Sequence, residues 1–297
     1  MLVTVALCTW NRAPLLRRAL EDLAALEIPA GVRLEILAVD NGSNDETPAL
    51  LREQASALPL RALSEPEPGL ACARNRAVAE ARGEWILWTD DDVRVEAGWL
   101  AAYVEASRRH PDAAFFGGAT LPWTEQAPPA WIAESWEQLA DVWAIRALPP
   151  EPAPIARARL PVGANFAIRS EVQRRRPYDP RLGRRGDALV GGEETAVMRK
   201  LLADGHTGWW VPDACVHHFI PAERMTESYL RRVWFGHGSE RALTRSGPPR
   251  SRLRLLARAL RAEARYRVSR RSREPAKWLR DLERAQGRWG ELRTPPR

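Results

Sequence analysis

The stretch WILWTDDD, residues 85–92, places three adjacent aspartates almost directly after a short apolar segment. Residues 85–88 have the length and the unbroken apolar character of a strand that is buried on both faces. Asp90, Asp91 and Asp92 follow that strand after a single threonine. Ligands of open α/β sheets bind at the carboxyl ends of the strands. The stretch therefore predicts a ligand site at the end of a buried strand.

The aspartate triplet is chemically demanding, because neighbouring carboxylates in a partly buried site raise one another's pKa values unless a cation lies among them. A divalent metal such as Mg²⁺ or Mn²⁺ supplies that charge and commonly carries substrate phosphates with it. The alternative is a solvated acidic turn before a helix that begins near Gly98. We interpret the triplet as a metal and phosphate site.

Strands and helices alternate along the chain up to the triplet. Apolar runs predict three further strands, and helix-start signals and apolar periodicity predict three helices. The strands are expected at 2–8, 34–39 and 60–63, and the helices at 14–26, from 46 onward and at 70–81. This order predicts an α/β fold with a mostly parallel central sheet flanked by helices. Thr9, Asp40 and Asp90 begin polar loops after three of these strands, so they are expected at one edge of the sheet.

Seven motifs follow one another over residues 1 to about 220. They are VALCTWNR (5–12), VDNGSND (39–45), GLACARN (69–75), TDDDV (89–93), GANFAIR (163–169), GGEETAVMRKL (191–201) and VHH (216–218). In this series the chain resembles the inverting glycosyltransferases of family 2, which have the GT-A fold of nucleotide-diphospho-sugar transferases. The resemblance implies a catalytic domain over 1–222, with a nucleotide-sugar half at 1–118 and an acceptor and base half at 119–222. A basic helical extension is expected over 223–297.

The resemblance implies a donor site for a UDP-, GDP- or dTDP-sugar. Its expected members are Thr9, Trp10, Arg12, Asp40, Asn41, Arg74, Asn75, Asp90 and Asp91. Asp40 is expected to accept hydrogen bonds from the base or ribose, although an aspartate before Asn-Gly is also a common turn-capping residue. Arg74 is expected near the donor, with a solvated surface arginine as the alternative.

The family's acidic-x-acidic (DxD) motif corresponds to Asp90 and Asp92. The resemblance implies that Asp92 binds Mn²⁺ or Mg²⁺, while Asp90 contacts ribose or sugar hydroxyls. His218 is the expected further ligand, after a strand predicted over 208–216, and His217 is the alternative. The metal is expected to bridge both phosphates and to offset the charge on the departing nucleoside diphosphate.

Glu193 and Glu194 follow Gly191-Gly192 at the start of a predicted helix. The family usually has Glu-Asp here, and the second acid accepts the proton of the attacking hydroxyl. Glu194 stands in that place with one more methylene, and Glu193 is the alternative base. Acids in the first helical turn are also favoured by the macrodipole alone. The implied reaction is one in-line displacement with inversion, and the absence of a Q-x-x-R-W segment predicts a non-processive enzyme.

The acceptor side is less defined. The resemblance places Gly163, Asn165, Trp123 and Arg199 near the donor sugar or the acceptor, which is expected to be a glycan or a lipid-linked saccharide. Trp123 is a candidate for stacking on a sugar face, with core packing as the alternative. Two other function classes are kept as alternatives: a sugar-nucleotidyltransferase, and a non-catalytic glycan-binding or membrane-binding protein.

Positive charge is concentrated at the end of the chain. Residues 224–297 hold 21 of the 45 Lys and Arg residues but 7 of the 38 Asp and Glu residues. Leu253, Leu256, Leu260 and Ala264 share one helical face, so residues 250–270 predict a basic amphipathic helix at a membrane surface. The alternative is a helix packed on the catalytic domain with its arginines in water. Nucleic-acid binding is not expected, because aromatic residues are sparse here and no binding motif occurs.

The composition predicts a cytoplasmic protein, with peripheral contact at the inner face of the cell membrane as an option. The chain shows no signal-peptide pattern at its start and no apolar run of the ~20 residues that a membrane span needs. Three cysteines without a pairing pattern fit a reducing compartment. The strong preference for arginine over lysine, together with abundant alanine and proline, is typical of a GC-rich bacterial genome.

Overall fold

The computed structural model describes residues 1–147, 150–245, 251–272 and 274–294. The strands are β1 Leu2–Thr9, β2 Arg33–Asp40, β3 Leu60–Ser64, β4 Trp85–Trp88, β5 Val93–Val95, β6 Ala113–Thr124, β7 Ala153–Pro154, β8 Phe166–Arg169 and β9 Thr207–Ile220. The helices are α1 Ala13–Ala24, α2 Thr47–Gln54, α3 Leu70–Glu80, α4 Trp99–Arg109, α5 Ala130–Ala133, α6 Trp136–Leu139, α7 Ser170–Arg174, α8 Glu193–Ala203, α9 Glu227–Thr244, α10 Arg252–Ser269 and α11 Pro275–Arg293. Short 3₁₀ turns occupy Ala140–Trp143 and Ala222–Arg224.

One sheet runs through the fold in the order β3-β2-β1-β4-β8-β6-β9-β5, with β7 beside β9. The first four strands along the chain are parallel to one another, as the alternation of strands and helices predicts. Antiparallel pairing joins β4 to β8, β8 to β6, and β9 to both β5 and β7. The α/β class with flanking helices is confirmed. The sheet is mixed, however, and its parallel character holds for the half that contains β1 to β4.

The hydrophobic core lies on both faces of the sheet, because successive side chains of a strand point to opposite faces. Val5 and Leu7 of β1 pack on one side with Leu16 and Leu20 of α1. Ala6, between them, points to the other side, where α3 and α8 contribute Ala73, Ala77, Val197 and Leu201. Each fully buried Leu or Val contributes about 1.5–3 kcal/mol. This burial fixes the strand ends from which the polar loops leave.

The described residues fall into two compact units. The first comprises Met1–Trp123, Ala144–Pro180 and Glu193–Phe219, and it contains every residue predicted for the site. The second comprises Thr124–Trp143, Arg181–Gly192 and Ile220–Arg297. The predicted boundaries at 118/119 and 222/223 remain predictions. The last segment of the second unit begins at Ile220, and that unit also takes in two earlier segments.

Three long helices dominate the second unit, in which α11 packs against both α9 and α10. The backbones of α9 and α11 approach closely, since a Cβ atom on Gly238 would collide with the carbonyl oxygen of Gly287. Helix α10 is anchored by Tyr266, whose hydroxyl donates to Glu227 Oε1 of α9 at 2.7 Å. The predicted helical C-terminal region is thereby confirmed.

The leucine-bearing face of α10 is not the packed one. Ala259, Tyr266 and Ser269 are the buried residues of this helix. Leu253 and Leu260 are 79% and 52% exposed. The membrane-surface helix and its alternative, a helix packed on the catalytic domain, both stay predictions. Residue 250, at the edge of the predicted membrane segment, lies outside the described residues.

None of the helices in the described ranges combines the length and the apolar character required to cross a membrane.

Candidate active site

The polar ends of β1, β2 and β4 meet at one edge of the sheet. β1 lies between β2 and β4 and is parallel to both, with Thr9 opposite Asp40 and Ala6 opposite Trp88. The loop that begins at Thr9, the turn at Asp40 and the aspartate triplet after Trp88 therefore leave the sheet side by side. The predicted common edge is observed.

The triplet divides into one accessible and two buried carboxylates. Asp91 and Asp92 are buried, and Arg12 Nη1 contacts Asp91 Oδ1 at 2.9 Å and Asp92 Oδ2 at 2.8 Å. Asp90 is half-buried, and its Oδ1 lies 3.5 Å from Arg74 Nη2. The protein thus supplies two arginine charges to these three acids. Two of the cations that these acids require are therefore arginines, and a metal beside them stays a prediction.

Burial has a measurable effect on this cluster. It raises the pKa of Asp91 to about 6, an effect to which the charge of Asp92 adds and which Arg12 opposes. Burial alone would lower the pKa of Arg12, but Asp91 and Asp92 outweigh it and raise that pKa. Arg12 therefore stays charged, and it holds the two acids in a fixed arrangement at the end of β4.

His218 lies next to Asp92, with its Nε2 3.4 Å from Asp92 Oδ1. The antiparallel pairing of β5 and β9 explains this approach, because His218 stands opposite Val93, the residue after Asp92. Strand β9 extends beyond the predicted end at 216, so both histidines lie within it and point to opposite faces. His217 contacts Glu96 instead, at 3.0 Å. Of the two candidates, His218 is the histidine that adjoins the triplet.

A divalent cation fits the residues at this position. A buried carboxylate oxygen and a buried imidazole nitrogen converge at Asp92 and His218, and the remaining oxygen of Asp92 already binds a cationic group, the Arg12 guanidinium. Carboxylates suit Mg²⁺ and Mn²⁺, whereas imidazole is a ligand mainly of transition metals. A mixed set of one carboxylate and one imidazole therefore suits Mn²⁺ better than Mg²⁺.

Arg74 is completely buried rather than a surface charge. Its guanidinium lies over the ring of Trp88, 5.3 Å from the centroid. Nη2 donates to the carbonyl oxygen of Gly163 at 3.1 Å, and Nη1 lies 3.7 Å from Glu193 Oε1. A Cβ atom on Gly163 would lie 2.8 Å from Nη2, which explains the glycine. Arg74 therefore links the triplet, the segment before β8 and the start of α8.

The two glutamates at the start of α8 differ in environment. Glu193 is buried, and burial together with the charge of Glu194 raises its pKa to about 8, against the effect of Arg74. Glu194 is only partly buried. The glycine before them has φ +87°, and a Cβ atom there would collide with Glu240, so the close approach at Gly192 is to a protein side chain. An incoming hydroxyl therefore reaches Glu194 more readily than Glu193.

The comparisons with known proteins agree with the motifs. Residues 4–127 match the family described as "Glycosyl transferase family 2". The succinoglycan biosynthesis protein ExoM of Rhizobium meliloti is 26% identical over 245 residues, which is 80% of this chain and 72% of that protein. ExoO of the same organism is 36% identical over 108 residues, 35% of this chain and 29% of that protein.

Residues 4–127 carry the sequence signature of glycosyltransferase family 2.

Solved structures share the fold of this chain. Mannosyltransferase PcManGT from Pyrobaculum calidifontis, in complex with GDP-Man and Mn²⁺, has a TM-score of 0.63 at 21% identity, covering 97% of this chain and 84% of that one. S. aureus TarS 1-349, in complex with UDP-GlcNAc, has a TM-score of 0.56 at 16% identity, covering 92% of this chain and 74% of that one. The likeness confirms the GT-A fold, and the family match over residues 4–127 supports glycosyltransferase activity.

Three asparagines are predicted to contact the donor or the acceptor. In the structure, their side chains form hydrogen bonds with other groups of the protein. Asn165 is fully buried; its Oδ1 accepts from Trp99 and Tyr103, and its Nδ2 donates to the carbonyls of Ala119 and Ala214. Because all its hydrogen-bonding groups are used inside the core, the expected contact with sugar or acceptor is wrong for Asn165.

The side chains of Asn41 and Asn75 join segments of the backbone. Asn41 donates to the carbonyls of Glu65 and Glu67 and accepts from the amide of Gly69. Asn75 forms two hydrogen bonds with the backbone of Tyr178. Its Nδ2 donates to the carbonyl oxygen, and its Oδ1 accepts from the amide. Both side chains therefore hold loops in position, and their contact with the donor stays a prediction.

The first two loops retain accessible groups. Asp40 Oδ1 accepts from the amide of Ser43 at 2.9 Å, which is the turn-capping role considered as its alternative. Thr9 is buried at the end of β1. Trp10 is 49% exposed beside it, and Asn11 next to it has φ +53°. Trp10 is therefore an exposed ring at the edge of the site, available to a planar base.

The expected acceptor residues are less well placed. Trp123 contacts two guanidinium groups, with Arg18 and Arg94 Cζ at 5.8 and 5.7 Å from its ring centroid, and it also contacts Phe219. These contacts agree with the packing alternative, and stacking on a sugar stays a prediction. Arg199 is exposed on α8, five positions after Glu194, and side chains at that spacing do not face each other.

Two residues of the site carry no motif-based prediction. Cys8, before Thr9, lies among Arg74, Asp90 and Glu193, and burial raises the pKa of its thiol far above the ordinary range. Tyr178 packs its ring 5.7 Å from Arg74 Cζ, and burial raises its pKa also. Cys8 could have been found from its place in the first motif. Tyr178 lies in an irregular segment, and nothing in its local sequence connects it to Arg74.

Proposed function

We propose that this protein transfers a single sugar from a nucleotide-diphospho-sugar to a hydroxyl acceptor, with inversion at the anomeric carbon and with a divalent metal. The observation that carries the proposal is the meeting of Asp92 and His218 at 3.4 Å, beside Asp90 and Arg74 at the end of β4. This arrangement suits a diphosphate, and Glu194 offers an acceptor for a proton. It gives no support to a sugar-nucleotidyltransferase or to a protein that only binds glycans.

Asp92 and His218 would hold the metal, and Mn²⁺ suits this pair best. When bound, the metal offsets the negative charge that develops on the departing nucleoside diphosphate. Arg12 keeps Asp91 and Asp92 in place and reduces the negative potential that a diphosphate meets on entry. Asp90 keeps one side accessible, so it is the carboxylate available to ribose or sugar hydroxyls.

Glu194 would act as the base. It would accept the proton of the acceptor hydroxyl while that oxygen attacks the anomeric carbon and the bond to the diphosphate breaks on the opposite side. Glu193 is buried against Arg74, so we assign it the task of fixing the start of α8. Inversion follows from one displacement, because no second carboxylate is needed as a nucleophile.

The substrates follow in part from the relatives. PcManGT was solved with GDP-Man and TarS with UDP-GlcNAc, and ExoM is named for succinoglycan biosynthesis. We therefore propose a UDP-, GDP- or dTDP-sugar as donor and a growing polysaccharide or a lipid-linked saccharide as acceptor. Trp10 would stack on the base of the donor, because its ring is exposed where β1 ends.

Helix α10 gives the second unit a surface suited to an anionic bilayer. Leu253, Leu260 and Val268 are 79%, 52% and 72% exposed and follow one face of the helix. Arg254, Arg258, Arg261 and Arg265 are exposed around them. An apolar stripe bordered by arginines suits the boundary between anionic headgroups and acyl chains. We propose that this face rests on the membrane that carries a lipid-linked acceptor, at its cytoplasmic side.

The test of the transferase proposal is donor binding and turnover. Calorimetric titration with UDP, GDP and dTDP, with and without Mn²⁺, should give binding of one nucleotide that strengthens with the metal. Asp92→Ala and His218→Ala should abolish the metal effect and lower turnover by a factor on the order of 10² or more. The matched controls are Asp213→Ala and His206→Ala, both exposed residues outside the site. Turnover by Asp92→Ala at the unaltered rate would overturn the metal role.

A further inference from the structure

A second cluster of metal-ligating side chains lies on the opposite face of β9 from His218. Cys215 and His217 are two residues apart on this strand, so their side chains share one face. Glu96 follows β5, which pairs with β9, and its amide donates to the carbonyl of Cys215 at 3.3 Å. His217 Nε2 lies 3.0 Å from Glu96 Oε1. Ligand atoms of all three side chains lie within 4.8 Å of one another.

We propose that Glu96, Cys215 and His217 bind Zn²⁺ at a site separate from the catalytic one. A sulfur, a nitrogen and an oxygen ligand form a set that zinc accepts in tetrahedral geometry, with water in the fourth position. Mg²⁺ and Mn²⁺ prefer oxygen ligands and do not select thiolate. The two faces of β9 thus select different metals, zinc at Cys215 and a harder ion at Asp92 and His218.

The chemistry of each ligand fits this assignment. Cys215 is a free thiol, largely buried at the base of the cluster, while Glu96 and His217 are accessible above it. On binding, the thiol releases its proton to solvent and the sulfur becomes a thiolate ligand. Without a metal, burial and the nearby Glu96 raise the pKa of this thiol to about 12, so the free cysteine is protonated and unreactive.

A metal here would tie two elements of the first unit together. Glu96 belongs to the segment after β5, and the other two ligands belong to β9, whose next residue, His218, contacts Asp92. Without zinc, the cluster contributes little to stability, because a solvent-exposed contact between a histidine and a glutamate is weak. Zinc would therefore link the segment after β5 to β9 and stabilise the native state by mass action.

Cobalt titration tests the proposal without any activity assay. The chelator-treated protein should bind Co²⁺ with a thiolate-to-metal charge-transfer band in the near ultraviolet, and added Zn²⁺ should abolish that band. Cys215→Ser should remove the band, and His217→Ala should weaken Zn²⁺ binding by at least about tenfold. Cys72→Ser is the matched control, because Cys72 is a cysteine of α3 that does not belong to the cluster, and it should keep the band.

The outcome is independent of the transferase proposal. Asp92→Ala should keep the charge-transfer band, since the catalytic site is on the other face of β9. In the Asp92→Ala background, Zn²⁺ should also raise the Tm, and it should leave the Tm of the Asp92→Ala, Cys215→Ser double variant unchanged, provided that both have the same circular dichroism spectrum. Absence of the charge-transfer band at saturating Co²⁺, or Zn²⁺ affinity that persists in the double variant, would overturn the zinc site and leave the catalytic assignment untouched.

Discussion

Arg74 Nη1 lies 3.7 Å from Glu193 Oε1, and both side chains are almost completely buried. The acid raises the pKa of the arginine, while burial acts in the opposite direction. Arg74 Nη2 also lies 3.5 Å from Asp90 Oδ1. One buried guanidinium therefore contacts an acid at the end of β4 and another at the start of α8. The relative positions of the triplet and the proposed base depend on this residue.

The first prediction concerns Glu193 and pH. Its pKa rises from an ordinary 4.5 to about 8 on folding, so the native state keeps a proton that the unfolded chain releases between these values. The stability of the protein should therefore fall as pH rises from about 5 to 8, by roughly 1–3 kcal/mol from this group. Glu193→Gln should lack that part of the pH dependence. Urea unfolding at several pH values measures the difference.

Glu171→Gln is the control for that series, because Glu171 is exposed on α7. It should follow the pH dependence of the unaltered protein. If Glu193→Gln did so as well, the buried acid would not titrate in this window and its assignment would be wrong.

The second prediction concerns Arg12, which compensates two buried carboxylates. Arg12→Ala should destabilise the protein by about 1–3 kcal/mol, because Asp91 and Asp92 lose a partner for their charge. Mn²⁺ should restore part of this loss, since it brings a replacement cation. The rise in Tm on adding Mn²⁺ should therefore be larger for the variant than for the unaltered protein.

Arg17→Ala is the matched control for Arg12, since Arg17 lies on the surface, 3.9 Å from Glu53. Arg17→Ala should lower the free energy of unfolding by less than about 1 kcal/mol, and its rise in Tm on adding Mn²⁺ should equal that of the unaltered protein. An equal rise in Tm on adding Mn²⁺ for all three proteins would mean that the metal does not bind beside Asp91 and Asp92.

The third prediction separates the two glutamates of α8 by their kinetics. Glu194→Gln should lower kcat by about 10²–10⁴, the usual contribution of a general base, with little change in donor KM. Glu194→Asp should recover part of the rate, because a carboxylate remains. Glu193→Gln should change kcat far less. A large loss of kcat in Glu193→Gln with Glu194→Gln active would reverse the assignment.

The sheet edge at which β1, β2 and β4 end could be predicted from the sequence, because each strand and the polar residues after it form one short continuous segment. Strand patterns ending at Thr9, Asp40 and Trp88, together with the rule that parallel strands end on one side, were sufficient to bring these residues together. The antiparallel half of the sheet was not predictable in this way. The partner of β4 is β8, whose residues lie far along the chain and show no pattern that specifies pairing with Trp85–Trp88.

Roles that depend on tertiary partners could not be predicted from motifs. Asn165 stands in a family motif, yet its partners, Trp99 and Tyr103, come from α4 and give it a core position. The choice of His218 over His217 required the register of β9, which the sequence left uncertain by a few residues. Arg12 was expected to touch the donor, and only the folded chain shows that it holds Asp91 and Asp92.

The fourth prediction concerns the exposed leucines of α10. The triple variant Leu253→Ser, Leu256→Ser, Leu260→Ser should bind vesicles of phosphatidylglycerol and phosphatidylcholine much more weakly, because the stripe that enters the bilayer is removed. Ile28→Ser is the control, since Ile28 is an exposed apolar residue of the first unit, and its vesicle binding should be unchanged. Vesicle flotation measures both, with pure phosphatidylcholine as the uncharged reference.

Two measurements show whether the exposed face of α10 contacts a membrane or a second copy of the chain: the salt dependence of vesicle binding and the oligomeric state. Binding to the anionic vesicles should fall with rising salt, because the surrounding arginines contribute by charge. If the triple variant bound vesicles normally but had lost a dimer seen by analytical ultracentrifugation, the leucines would bind a second copy of the chain and the membrane assignment would be wrong.

The fifth prediction follows from the buried hydrogen bonds of Asn165. Asn165→Ala should destabilise the protein by about 3–5 kcal/mol, because it leaves the indole of Trp99, the hydroxyl of Tyr103 and two carbonyls without partners inside the core. Gln126→Ala, at an exposed loop position, should be neutral. The fraction of Asn165→Ala that remains folded should keep the donor KM of the unaltered protein. Normal stability with a raised donor KM would instead place Asn165 in contact with the sugar.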